Sequence, residues 1–224
     1  MTVDIASNED RRITRIFIVR HGQTDHNVQK ILQGHLDTNL NQTGQIQAEK
    51  VGKYLSTLPI DYFLSSDLSR CRQTLDQILV HQEVTGNNIR YTPNLRERDM
   101  GIAEGMYLKD ALAQYGQGFR NLGEKEHELV KRVESEWDSL LKLNHKNVLV
   151  CTHGGVITRF INHLYVDRKY ELHESITQSD LKVPFNTSIS VIDYDNETGL
   201  GKIQTFGNTL HLGGNFEVKD QQLR

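Results

Sequence analysis

Three stretches of the 224-residue chain place chemically capable side chains at the end of apolar runs. RIFIVRHG ends in Arg20-His21-Gly22, FLSSDLSR delivers Arg70, and NVLVCTHGG ends in His153-Gly154-Gly155. A cation or an imidazole is a poor way to finish a buried strand, so packing alone does not account for them. In an open α/β sheet the functional crevice lies beyond the carboxyl ends of the strands, and all three stretches would meet there. Two histidines, two arginines and several glycines at one edge make a candidate anion site. Glycine lets a backbone come close to a ligand, and a helix starting just after His153 would add amide donors and a favourable dipole for phosphate. A single strand-end histidine is equally well explained as a capping residue; the pair, each followed by glycine, favours the site.

Other phosphate chemistries lack their residues. There is no GxxxxGK[ST] loop for a nucleoside triphosphate, and neither Cys71 nor Cys151 has an arginine six positions on, as a cysteine-phosphatase loop requires. No HExxH or Asp-rich cluster suggests metal-assisted hydrolysis.

The elements that must position these residues follow from periodicity. Residues 14–20 read as a first, buried strand. From Asn41 a helix is predicted, with Ile46, Val51, Leu55 and Leu58 on its apolar face and Pro59 as its stop. A short strand to about Ser65 leads through a Ser or Asp cap into a helix reaching about Val84. A strand at 89–92, a glycine-containing loop at 95–105 and a helix at 124–143 follow, the last with Leu129, Val133, Trp137 and Leu140 at spacings of three or four. A strand at 148–151, a helix at 155–166 and strands at 188–194 and 202–206 complete the chain. Strands alternating with helices imply an α/β three-layer sandwich with a mainly parallel central sheet.

Length suits one domain of 14–212 with a cap-like insertion near 105–125, between a flexible segment 1–13 and a tail 213–224. Lys plus Arg number 26 against 29 Asp plus Glu, a net charge of −3, so nothing argues for broad binding to nucleic acid or an anionic membrane. Two cysteines outside any CxxC spacing, a polar N-terminus and no long apolar run predict a soluble protein of a reducing compartment, the cytoplasm or alternatively the nucleus.

RHGQT..N at 20–27, SSDLSRCRQT at 65–74, LRERDMGIAEG at 95–105 and THGG at 152–155 together resemble the histidine phosphatase superfamily, in its phosphoglycerate mutase-like branch, in order and over most of the chain. The resemblance implies that His21 is the nucleophile, that Arg20, Arg70 and His153 surround the phosphate, and that Glu97 protonates the leaving oxygen and then helps to activate water. It also implies that Asn27, Gly34, Thr24 and Gly154 contact or adjoin the phosphate pocket, that Asn186 in PFNTS braces the site from behind, and that no cofactor or metal is needed. These residue types suit the task. A neutral imidazole, with an ordinary pKa of about 6.5, is a competent nucleophile near pH 7, and a phosphohistidine divides one hard displacement into two easier ones. Guanidinium groups can supply the charge stabilisation that a metal supplies elsewhere.

Neighbouring residues carry weaker expectations. Arg72 should face away from Arg70 as a solvated helix residue, and Arg96 and Arg98 either steer an anionic substrate or form surface ion pairs. His26 and His35 are candidates for the mouth; His81, His127 and His145 read as surface histidines.

Within the family, RHGQT and HGG with only two cysteines differ from the RHGxRxP and His-Asp pattern of secreted acid phosphatases and phytases. LRERDMG is similar to the LNERxYG of phosphoglycerate mutases, but Met106 to Gly123 is short and holds only Arg120, so hydrolysis is expected over phosphoryl retention. A regulatory sugar bisphosphatase would normally be attached to a P-loop kinase domain, and these 224 residues hold no P-loop, so that activity is not the one expected. ILQGH, FRN.GEK, FNTS and GNT.HL extend a resemblance to small fungal phosphatases of broad activity on phosphomonoesters. A mutase-type phosphotransferase and a non-catalytic interaction module are the alternatives. The partner expected is a small phosphomonoester, its identity set by a mouth built from residues 22–41 and 105–125.

Overall fold

The computed structural model describes residues 5–84, 88–219 and 221. The chain begins with β1 (Ile13–Arg20), the short α1 (Asp25–Gln29), α2 (Gln42–Leu55), β2 (Tyr62–Ser66), α3 (Ser69–Leu79) and β3 (Ile89–Thr92). It continues with α4 (Leu108–Tyr115), α5 (Glu126–Leu141), β4 (Asn147–Thr152), α6 (Gly154–Val166), the two-residue β5 (Glu171–Leu172), β6 (Ile189–Asp195) and β7 (Gly201–Asn208).

The seven strands form one sheet in the order β3-β2-β4-β1-β6-β7-β5. β3, β2, β4 and β1 run parallel, β6 is antiparallel to both β1 and β7, and β5 is parallel to β7, so the sheet is mixed and mostly parallel. Strand alternation divides the core. Ile16, Ile18, Leu64, Val148 and Val150 face α5 and α6, whereas Phe17, Val19, Phe63, Leu149 and Cys151 face α2 and α3. β1 and β4 are neighbours, yet the helices that follow them lie on opposite faces. Such divergence opens a crevice at the carboxyl ends of the two strands.

Register makes the crevice specific. Arg20 pairs with Thr152 across the parallel β1–β4 ladder. The next residues, His21 and His153, therefore leave adjacent strands at the same level.

Several helices differ from the periodicity reading. Ile46 is 49% exposed, and the buried face of α2 runs instead through Gln47, Ala48, Val51, Gly52 and Leu55. Stepping back three or four residues from Val51 reaches Ala48 and Gln47, so Ile46 is turned off the stripe. Asn41 does cap α2, its side chain accepting from the Gly44 N–H at 2.8 Å. α3 stops at Leu79 rather than about Val84, because Val80 is solvent-exposed and gives the helix nothing further to bury. α1 is too short to carry helical periodicity, whereas α4, where Leu108, Ala111, Leu112 and Tyr115 recur at helical spacing, lies in the stretch expected only as a cap-like insertion. Leu32, Met100, Ala103, Leu108, Ala111 and Phe119 form a small third core between the 31–36 loop, the 99–105 loop and α4, which holds those segments over the strand ends.

Candidate active site

β1 delivers Arg20 and His21, which are 1% and 2% exposed. His21 Nδ1 lies 2.7 Å from the carbonyl oxygen of Gly22. A carbonyl only accepts, so in the neutral ring Nδ1 carries the proton and Nε2 is the unprotonated nitrogen. Arg20 donates from Nη1 to the Pro184 carbonyl at 2.6 Å.

β4 delivers His153 beside it, the two ring centroids 5.2 Å apart. Arg70, in the first turn of α3, donates from Nε to His153 Nδ1 at 3.1 Å. Because Nδ1 accepts that bond, the His153 proton sits on Nε2 and is donated to Ser66 Oγ at 2.8 Å. Arg70 also donates to the carbonyls of Leu36 (2.7 Å) and Gly34 (2.9 Å). Three fixed partners hold its planar fork in one orientation. Burial pulls this guanidinium below its usual pKa range, a penalty that an arriving phosphate dianion would offset.

Glu97 closes the other side. Its Oε1 accepts from the Arg98 N–H at 3.0 Å and its Oε2 from the Gly155 N–H at 2.9 Å. Gly155 has no side chain for a steric reason: a Cβ there would run into the Glu97 carboxylate. The close approach permitted by this glycine is thus toward a side chain of the site rather than toward a ligand.

His21, Asn27, Gly34, Arg70 and Glu97 line one narrow cleft, together with His26, Ile31, Leu32, Gln33 and Met100. The remaining predicted residues, Arg20, His153, Thr24, Gly154 and Asn186, are buried and are not among the residues that line it, although the sequence resemblance implies that Arg20 and His153 surround the phosphate. Thr24 is wholly buried as the N-cap of α1, accepting from the Asn27 N–H at 3.2 Å while Asn27 Oδ1 accepts from the Thr24 N–H at 3.1 Å. Gly154 opens α6 and is buried. Asn186 donates from Nδ2 to the His21 carbonyl at 2.9 Å and to Asn27 Oδ1 at 3.3 Å.

Of the flanking residues, Arg96 forms a two-pronged ion pair with Asp67 at 2.7 and 2.6 Å. Arg98 is 5% exposed and turned inward, donating to the Glu124 carbonyl and to Asn121 Oδ1. Arg72 is exposed and stacks over the Tyr91 ring, 4.0 Å from its centroid. His26 lines the cleft. His35 faces the back of it, its Nε2 2.8 Å from the Glu97 carbonyl.

Sequence reasoning gave no role to Ser66, Thr74 or Glu104, although each sits inside a quoted motif. Ser66 orients His153, and Thr74 Oγ1 accepts from the Gly22 N–H at 2.9 Å. Glu104 Oε1 accepts from the His35 and Met100 amides at 2.7 and 3.1 Å, which fixes the loop whose Gly34 carbonyl holds Arg70. Among the described residues, no three His, Cys, Asp or Glu side chains are grouped so as to hold a metal ion. No helix among them is long and apolar enough to cross a membrane.

A model of the histidine phosphatase superfamily (branch 1) matches residues 16–208, and the chain belongs to that superfamily. It is 43% identical over 228 residues to a broad-specificity phosphatase of Saccharomyces cerevisiae, spanning 97% of this chain and 96% of that one. A probable phosphatase of Schizosaccharomyces pombe is 38% identical over 88% of this chain and 95% of its own length. Among solved structures, a phosphoglycerate mutase from Bacillus anthracis aligns with a TM-score of 0.75 at 24% identity, covering 90% of this chain and 96% of that one. That last likeness concerns the fold alone. The protein is a phosphatase enzyme on a phosphoglycerate mutase-like fold.

Proposed function

We propose that the protein is a metal-independent phosphomonoester hydrolase that works through a phosphohistidine on His21 and accepts a broad range of small phosphorylated metabolites. The observation that carries this reading is the approach of the His21 and His153 rings at 5.2 Å at a cleft that His21, Arg70 and Glu97 line together. Breadth of substrate is supported by the name of the 43%-identical yeast relative and by a mouth whose flanking arginines are engaged with Asp67, Glu124 and Asn121.

In the first step the Nε2 lone pair of His21 forms a bond to phosphorus as the ester P–O bond breaks. Arg70, which lines the cleft, stabilises the equatorial oxygens, His153 and Arg20 support His21 and Arg70 from behind it, and Glu97 gives its proton to the leaving oxygen. The Nδ1–H bond to Gly22 stabilises the positive charge that develops on the imidazole. In the second step Glu97, now a carboxylate, takes a proton from water as the water oxygen attacks phosphorus. The N–P bond breaks, and inorganic phosphate and neutral His21 result.

The test is steady-state turnover of aryl and alkyl phosphates with a chelator present. His21→Ala should abolish turnover. Glu97→Gln should slow alkyl esters by about a hundred- to ten-thousand-fold and aryl esters less, because a phenolate leaves without a proton. Full activity in His21→Ala would overturn the assignment.

A further inference from the structure

Two stretches singled out in the sequence, FNTS and GNT.HL, meet behind the nucleophile. Thr187 of the first has φ +57°, a left-handed backbone that a β-branched residue seldom adopts. Its N–H donates to the Arg20 carbonyl at 3.0 Å and to the His21 carbonyl at 3.4 Å. Its hydroxyl donates to the Asn186 carbonyl at 2.7 Å. The same oxygen lies 3.1 Å from His211 Nε2. With the hydroxyl proton committed to Asn186, His211 Nε2 is the donor of that bond.

His211 stands on a 3₁₀ turn after β7 and packs beside α2, its ring centroid 5.8 Å from that of Tyr54. Burial and the nearby Lys50 push its pKa down to about 4, which keeps the imidazole neutral with one N–H to give. Its Nδ1 is buried and meets no hydrogen-bond partner among the described residues. The ring is held for the bond from Nε2.

The peptide joining His21 to Gly22 is gripped from both sides. Its carbonyl takes Asn186 Nδ2 and the Thr187 N–H, and its N–H is given to Thr74 Oγ1. The orientation of this peptide sets where the Gly22 carbonyl lies, and that carbonyl fixes the His21 ring through Nδ1. Glycine would satisfy the Thr187 backbone angle without strain. A threonine there has a use only if its side chain does something.

We propose that Thr187 and His211 form a positioning couple: His211 fixes the Thr187 hydroxyl, and Thr187 in turn holds the backbone that keeps His21 in its Nδ1–H tautomer with Nε2 aimed at phosphorus. Neither residue touches substrate. The inference rests on the phosphohistidine reading for its catalytic consequence, but not for its tautomeric one.

Thr187→Gly suits the backbone angle and removes the hydroxyl, so the fold should survive; His211→Ala and Thr187→Ser complete the set. Long-range proton–nitrogen NMR of histidine-labelled protein, with the His21 signals assigned by His21→Ala, reads the tautomer directly. Wild type and Thr187→Ser should show one Nδ1–H tautomer, and Thr187→Gly and His211→Ala a mixture. Rapid-quench phosphorylation of His21 should slow by about tenfold in the latter two, with KM changed less than about twofold, and the double variant should lose no more than either single one. A wild-type tautomer in Thr187→Gly would overturn the couple. If wild-type protein forms no phosphohistidine, the proposed function falls, and the tautomer comparison still decides the couple.

Discussion

Glu97 meets two backbone amides, and the Gly155 amide is reached only because no Cβ stands in the way. Gly155→Ala should therefore displace the carboxylate while leaving α6 intact, since alanine is the better helix former. Kinetics and calorimetry should show a loss of kcat on alkyl phosphates of the order of a hundredfold, a smaller loss on aryl phosphates, and no fall in thermal midpoint beyond a few degrees. Unchanged kcat with a lowered midpoint would give Gly155 a packing role only. At this scale much was legible from sequence, because cations and imidazoles at strand ends stand out against an apolar background. What escaped were residues with ordinary types and unusual partners. Ser66 reads as one more polar residue in a turn, and nothing local says that its hydroxyl meets His153 across the strand ends. Arg98 reads from sequence as either a steering charge or a surface ion pair, because an arginine beside an acid in a loop is usually exposed; the fold places it inward on Glu124 and Asn121.

Among the elements, β1 and β4 do most to define the cleft, since their register sets His21 level with His153. The 3₁₀ turn at Leu210–Leu212 is a smaller element with a measurable signature, because it carries His211 against Lys50 and Tyr54 of α2. In the folded protein His211 titrates at about 4, against 6.5 for an unperturbed imidazole. Between those values the unfolded chain binds the extra proton, so stability rises with pH there. The contribution is complete above pH 6.5 and is lost as the pH falls through 4, and its upper bound is about 3 kcal/mol. Urea unfolding from pH 7 to pH 4.5 should show a fall in midpoint that is smaller in His211→Ala than in wild type; parallel curves would contradict the burial argument. The long, periodic elements were visible in sequence, α5 most clearly, because Leu129, Val133, Trp137 and Leu140 repeat along one face. α1 was not, since five residues held by a Thr24–Asn27 capping box carry no periodicity. The end of α3 was overrun because apolar content continued beyond the point at which burial stopped.

For the whole molecule, two cores on opposite faces of one sheet keep β1 and β4 fixed against each other, and the third, smaller core ties the mouth to them. Mobility and specificity should concentrate in that third part, which carries the fewest buried side chains. The chain as a whole is slightly acidic, so attraction of an anionic ester is a property of the cleft and not of the overall field. In the proposed reaction the phosphoryl group passes through His21. Mixing wild-type protein with excess aryl phosphate, quenching in alkali, in which phosphohistidine survives, and locating the phosphoryl group by mass spectrometry decides this. One phosphoryl group is expected, on the peptide carrying His21, formed in a burst and absent from His21→Ala. Turnover with no phosphorylated intermediate, or a phosphoryl group on His153 or another residue, would contradict it.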